Sequence, residues 1–256
     1  MKKLRWMLVA LLLGSGPVGA AVCTTAALSD YIALGAAGCT IDGVTFSEFT
    51  GVAPLNPAAT PISPSSINLM PLTGPGGPGF ELSSATALNA SAGTLLELWF
   101  GFVATAGSGN SLTGSSLSLG SSAVVPDGAN TIIADICPDG DFASPSTGCS
   151  TSPVSLIVFD AGFAASASDS TPIGPSSFFD VFVDLVIDGG PAGDSTLGPT
   201  LGEFRTAVSA STVPEPSTWC LVAVVLAAAV TYARRSAQRR AVVRGTGMRL
   251  LSGDPR

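Results

Sequence analysis

The residues Phe178–Asp188 constrain the fold of this chain more than any other segment, because apolar and polar side chains alternate along them. One face would carry only apolar side chains: Phe179, Val181, Val183, Leu185 and Ile187. The opposite face would carry Asp180, Asp184 and Asp188 with Phe178, Phe182 and Val186. Since a β-strand repeats every two residues, the pattern predicts a long strand with one buried face and one face of solvated aspartates.

Shorter apolar or mixed runs predict further strands, and Gly, Pro, Ser and Asn fill the gaps between them. These runs are residues 44–47, 67–72, 95–103, 131–136, 154–159 and 204–208. Two stretches lack a clear strand pattern. Residues 51–80 contain seven prolines and five glycines and predict a long extended loop, and the Gly- and Ser-rich residues 106–122 predict only a weak strand.

One short helix is predicted near the N-terminal end of this region. Leu28, Tyr31 and Ile32 have helical spacing within residues 25–34, and Gly35 would end the helix. Many short strands, frequent turns and one helix predict a mainly β fold. We expect a secreted β-sandwich-like domain with one short N-terminal helix, followed by a C-terminal transmembrane helix.

Charge is distributed very unevenly along the 256 residues. Residues 21–218 contain seventeen acidic side chains and one basic side chain, Arg205, whereas both ends of the chain are basic. An acidic middle argues against nucleic-acid binding, because phosphate contacts require Lys and Arg. The chain has no histidine, which excludes Ser-His-Asp catalysis, histidine metal sites and a histidine pH switch.

The first twenty residues are typical of a secretory signal peptide. The basic start Met1-Lys-Lys-Leu-Arg5 precedes eight apolar residues, 6–13, and a small-residue site suggests cleavage after Ala20 or Ala21. Eight residues are too few for a permanent membrane anchor. A lipoprotein at Cys23 is an alternative, but Val22 stands where such signals favour a small residue.

The C-terminal end has three ordered parts. Residues 213–218 read Val-Pro-Glu-Pro-Ser-Thr, residues 219–233 are uncharged and mostly apolar, and residues 234–240 are rich in arginine. The apolar run predicts a short transmembrane helix, and the arginines place its following end in the cytoplasm. The alternatives are a buried core helix and, for the proline motif, an ordinary linker. Both ends predict that residues 21–212 are an acidic, β-rich extracytoplasmic domain.

This three-part layout resembles a PEP-CTERM sorting signal over residues 213–240. The resemblance implies that Pro214, Glu215 and Pro216 are recognised by an exosortase-type sorting enzyme, and that the protein is associated with exopolysaccharide and biofilm. The arginines that would form the membrane stop are Arg234, Arg235, Arg239 and Arg240. Residues 241–256 extend beyond the usual end of such signals, as a cytoplasmic tail of unknown role.

Four cysteines lie within the predicted exported domain, where an oxidising compartment allows disulfides. Cys23 and Cys39 are sixteen residues apart, and Cys137 and Cys149 are twelve apart. Four cysteines allow three pairings. We favour Cys23–Cys39 and Cys137–Cys149, because each closes a short local loop.

Catalytic and metal-binding patterns are sparse. The sequence has no nucleophile elbow, phosphate-binding loop or Cys-x-x-Cys pair, and the scattered carboxylates do not single out a hydrolase, so we expect no enzymatic activity and no cofactor. Asp139 and Asp141 are weak candidates for a calcium site, because calcium prefers clustered oxygen ligands, although two aspartates in a turn usually serve the turn itself.

These features predict an exported protein that passes through an inner-membrane-anchored intermediate to the cell surface or extracellular matrix. Its expected partners are the sorting enzyme, the membrane and exopolysaccharide, with no nucleic acid. The alternative function is a calcium- or carbohydrate-binding module that stays anchored in the membrane.

Overall fold

The described part of the chain is built mainly from β-strands, as the sequence predicted. The structure, a computed structural model, describes residues 20–210. These residues contain one α-helix, α1 (Leu28–Leu34), and two 3-10 turns, Gly35–Ala37 and Pro64–Ser66. No helix in this range has the length and apolar character needed to span a membrane. The predicted transmembrane helix, residues 219–233, lies outside the described residues.

Three sheets are formed by the strands of residues 20–210. In chain order the strands are β1 (Ala21–Val22), β2 (Ala26–Ala27), β3 (Cys39–Ile41), β4 (Val44–Val52), β5 (Thr60–Pro61), β6 (Ile67–Leu72), β7 (Gly79–Ser84), β8 (Leu88–Ala90), β9 (Leu95–Ala106), β10 (Asn110–Leu119), β11 (Ser122–Val124), β12 (Ala129–Pro138), β13 (Val154–Asp160), β14 (Ala165–Ser166), β15 (Ser168–Ser176), β16 (Phe178–Asp188), β17 (Ser195–Leu197) and β18 (Thr200–Ala210).

Sheet A, the largest, has the order β1-β3-β4-β9-β16-β12-β13-β14, and β5 joins it beside β9. The strand predicted from the alternating run is β16, with the predicted bounds. It pairs antiparallel along its whole length with β9 and over ten residues with β12. β16 therefore lies in the middle of the sheet.

Two further sheets complete the fold. Sheet B has the order β15-β10-β18-β7-β6-β2, and the small sheet C consists of β11, β17 and β8. The chain crosses from sheet A to sheet B within a few residues, between β14 and β15. All neighbours in sheets B and C are antiparallel.

Sheets A and B face each other across one apolar core, as the layers of a β-sandwich do. Phe46 of β4 meets Phe80 of β7 edge-to-face with 4.8 Å between ring centroids, and Phe102 of β9 meets Phe204 of β18 at 5.4 Å. Edge-to-face contacts between aromatic rings are favourable beyond the area they bury. The five apolar side chains predicted for one face of β16 are all buried in this core.

Helix α1 closes one end of the core. Leu28 and Tyr31 are its buried residues, and the Tyr31 ring contacts Phe49 and Phe80. The Tyr31 hydroxyl donates a hydrogen bond to the Thr24 carbonyl at 2.7 Å, which satisfies the polar atom of a buried ring. The helix ends at Gly35, whose φ of +56° is readily adopted by glycine.

The strand predicted in residues 106–122 is present as β10, although it is better paired than the weak strand that was predicted. β10 is a full strand between β15 and β18, and it buries Leu112 and Leu117. These leucines are five residues apart, which would place them on opposite faces of a regular strand. A register shift between Leu112 and Gly114 changes the alternation and brings both leucines to the core side.

The long loop predicted for residues 51–80 is interrupted by strands. β4 continues to Val52, and β5, β6 and the start of β7 also fall in this range. Of these interruptions, β6 corresponds to the strand predicted at residues 67–72. The prolines are tolerated because β5 has only two residues and Pro71 pairs on one side alone, with Phe80 of β7.

Candidate functional site

The residues predicted to carry sorting lie outside the described part of the chain. This applies to Pro214, Glu215 and Pro216, and to Arg234, Arg235, Arg239 and Arg240 of the predicted membrane stop. Residues 1–19 of the predicted signal peptide also lie outside it. The geometry of the molecule therefore bears on residues 20–210 only.

The four cysteines within this range form two disulfides with the pairing that the sequence analysis favoured. Cys23–Cys39 joins the segment before α1 to β3, and Cys137–Cys149 ties the loop after β12 back to its strand. The Cα–Cα distances are 4.9 Å and 5.6 Å, within the usual range for disulfides. Two disulfides are compatible with an extracellular or periplasmic protein.

Asp139, one of the two weak calcium candidates, serves its own loop. Its Oδ1 accepts hydrogen bonds from the backbone N–H of Ser177 at 2.7 Å, from the Ser177 hydroxyl at 2.6 Å and from the Phe178 N–H. Burial alone would raise the pKa of Asp139, but the hydrogen bonds from Ser177 and Phe178 outweigh it and lower the pKa. This carboxylate therefore anchors the loop to the start of β16.

Asp141, the second candidate, is exposed in the same loop. Within residues 20–210 no group of three His, Cys, Asp or Glu side chains lies close enough to hold a metal ion. The side-chain hydrogen bonds of Asp139 reach Ser177 and Phe178 in a distant part of the chain, so they are not the contacts of a local turn. The positive φ of Asp139, +49°, is the observation that fits the alternative of a turn position.

The loop pinned by Cys137–Cys149 reaches over the outer face of sheet A, the face that points away from the core. The Phe142 N–H donates to Asp180 Oδ2 at 2.9 Å, and the Phe142 ring meets Phe182 edge-to-face at 5.6 Å. Burial raises the pKa of Asp180, with smaller contributions from the nearby charges of Asp141 and Glu48, although the Phe142 hydrogen bond opposes the shift.

Three carboxylates lie together on this outer face: Glu97 of β9, Asp184 of β16 and Asp135 of β12. We call them the carboxylate trio. Asp184 is paired in register with Trp99 on one side and Ile133 on the other, whereas Glu97 is paired with Val186 and Asp135 with Phe182. Glu97 and Asp135 are therefore diagonal neighbours of Asp184 on opposite sides, which brings their charges within interaction range.

Glu97 is the most buried member of the trio, with 4% of its surface exposed. Its Oε1 accepts a hydrogen bond from the Trp99 indole N–H, and its Oε2 accepts one from the Asn56 backbone N–H at 3.4 Å. Its backbone carbonyl accepts from the Ile62 N–H at 2.8 Å. Glu97 therefore connects β9 to the segment that follows β4.

Asp184 is a carboxyl group with a strongly raised pKa. Burial raises the pKa of Asp184 to about 7, and repulsion by Glu97 and then Asp135 raises it in the same direction. Its Oδ1 is buried without a hydrogen-bond partner among the described residues. The sequence prediction that Asp184 is solvated is correct only in part, because the residue is partly exposed but its Oδ1 is buried.

Within residues 20–210, no basic side chain compensates the trio. Arg205 is the one cation within residues 20–210, and it lies on β18 in sheet B, ion-paired with Glu203 at 3.1 Å. Asp135 instead accepts a hydrogen bond from the Ser155 hydroxyl of β13. Burial of Asp184, together with repulsion by Glu97 and Asp135, favours the protonated form of this carboxyl near neutral pH.

This trio was not predicted from the sequence. Glu97 interrupts the apolar run Leu95-Leu-Glu-Leu-Trp-Phe100. A carboxylate is unusual in such a run, and this was the feature of the sequence that could have indicated a buried acidic residue. Asp135 and Asp184 were visible only as polar residues on alternating strands. Their proximity depends on the register of β9, β16 and β12, which a single sequence does not reveal.

A second polar surface lies on the outer face of sheet B. A depression there is lined by residues of β10 and β15, mostly serines, and by the ion pair of β18: Ser116, Leu117, Ser118, Ser168, Asp169, Ser170, Glu203 and Arg205. Ser116 is paired with Ser170 and with Arg205, and Ser118 with Ser168 and with Glu203. Arg205 also donates to the carbonyl of Gly77, which fixes its guanidinium at the rim.

No family model matches the chain, and no curated protein matches it. A solved structure, the enzymatically active domain of tailspike protein 4 of bacteriophage CBA120, is similar with 10% identity and a TM-score of 0.21. The match covers 66% of this chain and 20% of the tailspike chain, so this chain spans about a fifth of its length.

Proposed function

We propose that this chain is an exported cell-surface or extracellular-matrix protein, sorted through its C-terminal segment and associated with exopolysaccharide. In this proposal residues 213–240 direct sorting by an exosortase-type enzyme, and the described domain is the part displayed outside the cytoplasm. The domain has a binding or structural role and no catalytic one.

The observation that supports this proposal most strongly is the pair of disulfides. Cys23–Cys39 and Cys137–Cys149 both lie in the part of the chain between the predicted export and sorting segments. Disulfides form and persist mainly outside the cytoplasm. The excess of acidic side chains in the same part is suited to a hydrated, soluble surface.

Sorting is tested by replacing the motif in the full chain. The variant carries Pro214→Ala, Glu215→Ala and Pro216→Ala and is produced in a Gram-negative host that contains an exosortase-type enzyme. We expect the wild-type chain in the cell-surface and culture fractions and the variant in the membrane fraction, because the enzyme would no longer recognise its substrate.

Pro191→Ala, in an exposed turn of the described domain, is the matched control for proline replacement. It should be distributed like the wild type. An identical distribution of the wild-type and motif variant chains would contradict sorting through residues 213–218.

A second candidate is a membrane-anchored calcium- or carbohydrate-binding module, and the serine-lined depression on sheet B favours the carbohydrate version. Serine hydroxyls and the Glu203–Arg205 pair offer both donors and acceptors to sugar hydroxyls. A neutral glycan is the expected ligand class, because a strongly acidic domain repels an anionic polymer. Calcium is less favoured, because Asp139 Oδ1 already accepts three hydrogen bonds.

Carbohydrate binding is tested by affinity electrophoresis of the full chain in gels that contain neutral polysaccharides. The double variant Ser116→Ala and Ser170→Ala should migrate faster than the wild type in a gel that retards the wild type. Ser152→Ala, at an exposed position, controls for loss of a hydroxyl. Equal migration of all three proteins across a broad panel of polysaccharides would count against this candidate.

A further inference from the structure

The segment after β4 is attached to the outer face of sheet A mainly through Glu97. We call residues 53–62 the strap. β4 leaves the side of β9 at Val52, and β5, at the end of the strap, rejoins β9 in parallel at Leu96 and Glu97. Between these points the strap folds across the Glu97 side chain, because the Asn56 N–H reaches Glu97 Oε2.

The strap has few other attachments. Most of its residues are exposed, and Ile62 is its one residue that is buried in the core. Ala58 and Ala59 donate hydrogen bonds to Asn56 and not to the sheet. Segments with few buried apolar contacts open at a low free-energy cost. The end of the strap is held by the pairing of β5 with β9 and by the Ile62 N–H, which donates to the Glu97 backbone carbonyl at 2.8 Å. The Glu97 carboxylate therefore acts on the middle of the strap, where it accepts a hydrogen bond from the Asn56 N–H at 3.4 Å.

Asp184 is the group that acts on Glu97. It faces Glu97 and Trp99 from β9 and Asp135 from β12, with Asp180 and Asp188 further along its own strand. The strap contributes no charged side chain, and Arg205 is on the other sheet. A charge on Asp184 therefore repels Glu97, and no cation in the described part of the chain offsets this repulsion.

We propose that the strap is controlled by a proton on Asp184: the protonated carboxyl leaves Glu97 in place to hold Asn56, and loss of that proton displaces Glu97 and releases the strap. The proton passes to solvent, and no other group is consumed. This inference is independent of the proposed function, since it concerns residues 53–62, 97 and 184 only.

The direction of the pH dependence follows from linkage. Burial and then repulsion by Glu97 raise the pKa of Asp184 to about 7 in the closed form. Displacement of Glu97 removes this repulsion but leaves Trp99 and Ile133 beside Asp184, so the pKa of Asp184 is lower in the open form without reaching that of a solvated aspartate. Between the two pKa values the closed form binds more protons than the open form, so opening becomes more favourable as pH rises. The change levels off above about pH 7, where both forms are deprotonated.

Hydrogen exchange of the full chain, followed by mass spectrometry from pH 4.5 to 8, tests this inference. After correction for the intrinsic pH dependence of exchange, protection of residues 53–62 should fall with rising pH by up to about tenfold per unit and level off above pH 7. Peptides from β18 serve as an internal reference. Asp184→Asn, which stays neutral, should show protection of the strap that does not depend on pH.

Two further variants keep the test decisive. Glu97→Gln removes the charge that Asp184 would repel, so it should also flatten the pH dependence, with lower protection because a neutral acceptor holds Asn56 less firmly. Asp194→Asn, an exposed control, should behave like the wild type. Protection of the wild-type strap that is constant with pH, or a pH dependence that both Asp184→Asn and Glu97→Gln retain, would overturn the inference.

Discussion

At the residue scale, the outer face of sheet A combines close packing with uncompensated charge. A Cβ atom on Gly101 would lie 2.7 Å from the ring of Phe182, the residue with which it is paired across β9 and β16. The same ring is covered by Phe142. Phe182 is therefore held flat over β9, next to the carboxylate trio, and its position depends on the missing side chain of Gly101.

Replacing Gly101 by alanine should destabilise the protein by about 1–3 kcal/mol, because the added methyl group must displace Phe182 in a packed layer. Urea unfolding of the full chain, followed by the circular dichroism of the sheets, measures this change. Gly174→Ala is the matched control, since a Cβ atom there meets no neighbour within 4 Å. Equal midpoints for the two variants would contradict the packing described for Phe182.

Asp184 should make the free energy of unfolding depend on pH. Its raised pKa means that the folded state holds a proton that the unfolded state releases between about pH 4 and 7, so this contribution is present at low pH and lost as pH rises to 7. Asp184→Asn should therefore gain in Tm relative to the wild type over this range. Because Asp184 is partly exposed, solvent screening weakens this effect, and we expect a Tm difference of roughly 2–4 °C at pH 7.

Differential scanning calorimetry of both proteins at several pH values measures this difference. Comparison with the wild type at each pH removes the contributions of the other carboxylates, such as Asp139, whose lowered pKa acts in the opposite direction. A Tm difference that is constant from pH 4 to 8 would show that Asp184 is solvated, as the sequence suggested.

At the element scale, β16 and β10 show what a single sequence reveals and what it hides. The strict alternation of β16 predicted its bounds and its buried face, because its core-facing positions are all apolar and its aspartates all lie on the other face. In β10, small residues give little apolar contrast, and the register shift after Leu112 breaks the alternation. The carboxylate trio was hidden for a related reason, since it is assembled from three strands whose pairing is non-local.

Leu112→Ala tests whether β10 is a core strand. The side chain is fully buried beside β18, so its removal should cost about 2–5 kcal/mol of unfolding free energy. Leu55→Ala, in the exposed part of the strap, should change stability by less than about 0.5 kcal/mol. Chemical denaturation of both variants gives the comparison, and a negligible effect at Leu112 would restore the weak-strand interpretation.

The loop between β12 and β13 depends on its disulfide. Replacing both Cys137 and Cys149 by serine should cost roughly 3 kcal/mol on the loop-entropy model, because a closed loop of this length restricts the unfolded chain. The variant should also expose the Phe142 N–H that now bonds to Asp180. Thermal unfolding with and without reductant, compared with the wild type, measures the loss, and an unchanged Tm would mean that Asp139 and Asp180 hold the loop without the disulfide.

At the scale of the whole molecule, the described domain and the two ends of the chain have opposite charge. Residues 20–210 hold one basic side chain among many acidic ones, and the sequence places the remaining basic residues in the predicted signal peptide and beyond residue 233. Cytoplasmic segments of membrane proteins are enriched in Lys and Arg. This asymmetry and the two disulfides support the same proposal, that the domain is displayed outside the cytoplasm.

Mass spectrometry of the C-terminus, on protein recovered from the cell surface and from the culture fluid, tests this proposal most directly. We expect chains that end near residues 214–218 and lack residues 219–256, with any added mass on the new end marking an attached group. Intact chains that extend to Arg256 in every fraction would contradict sorting and would favour a protein that stays anchored in the membrane.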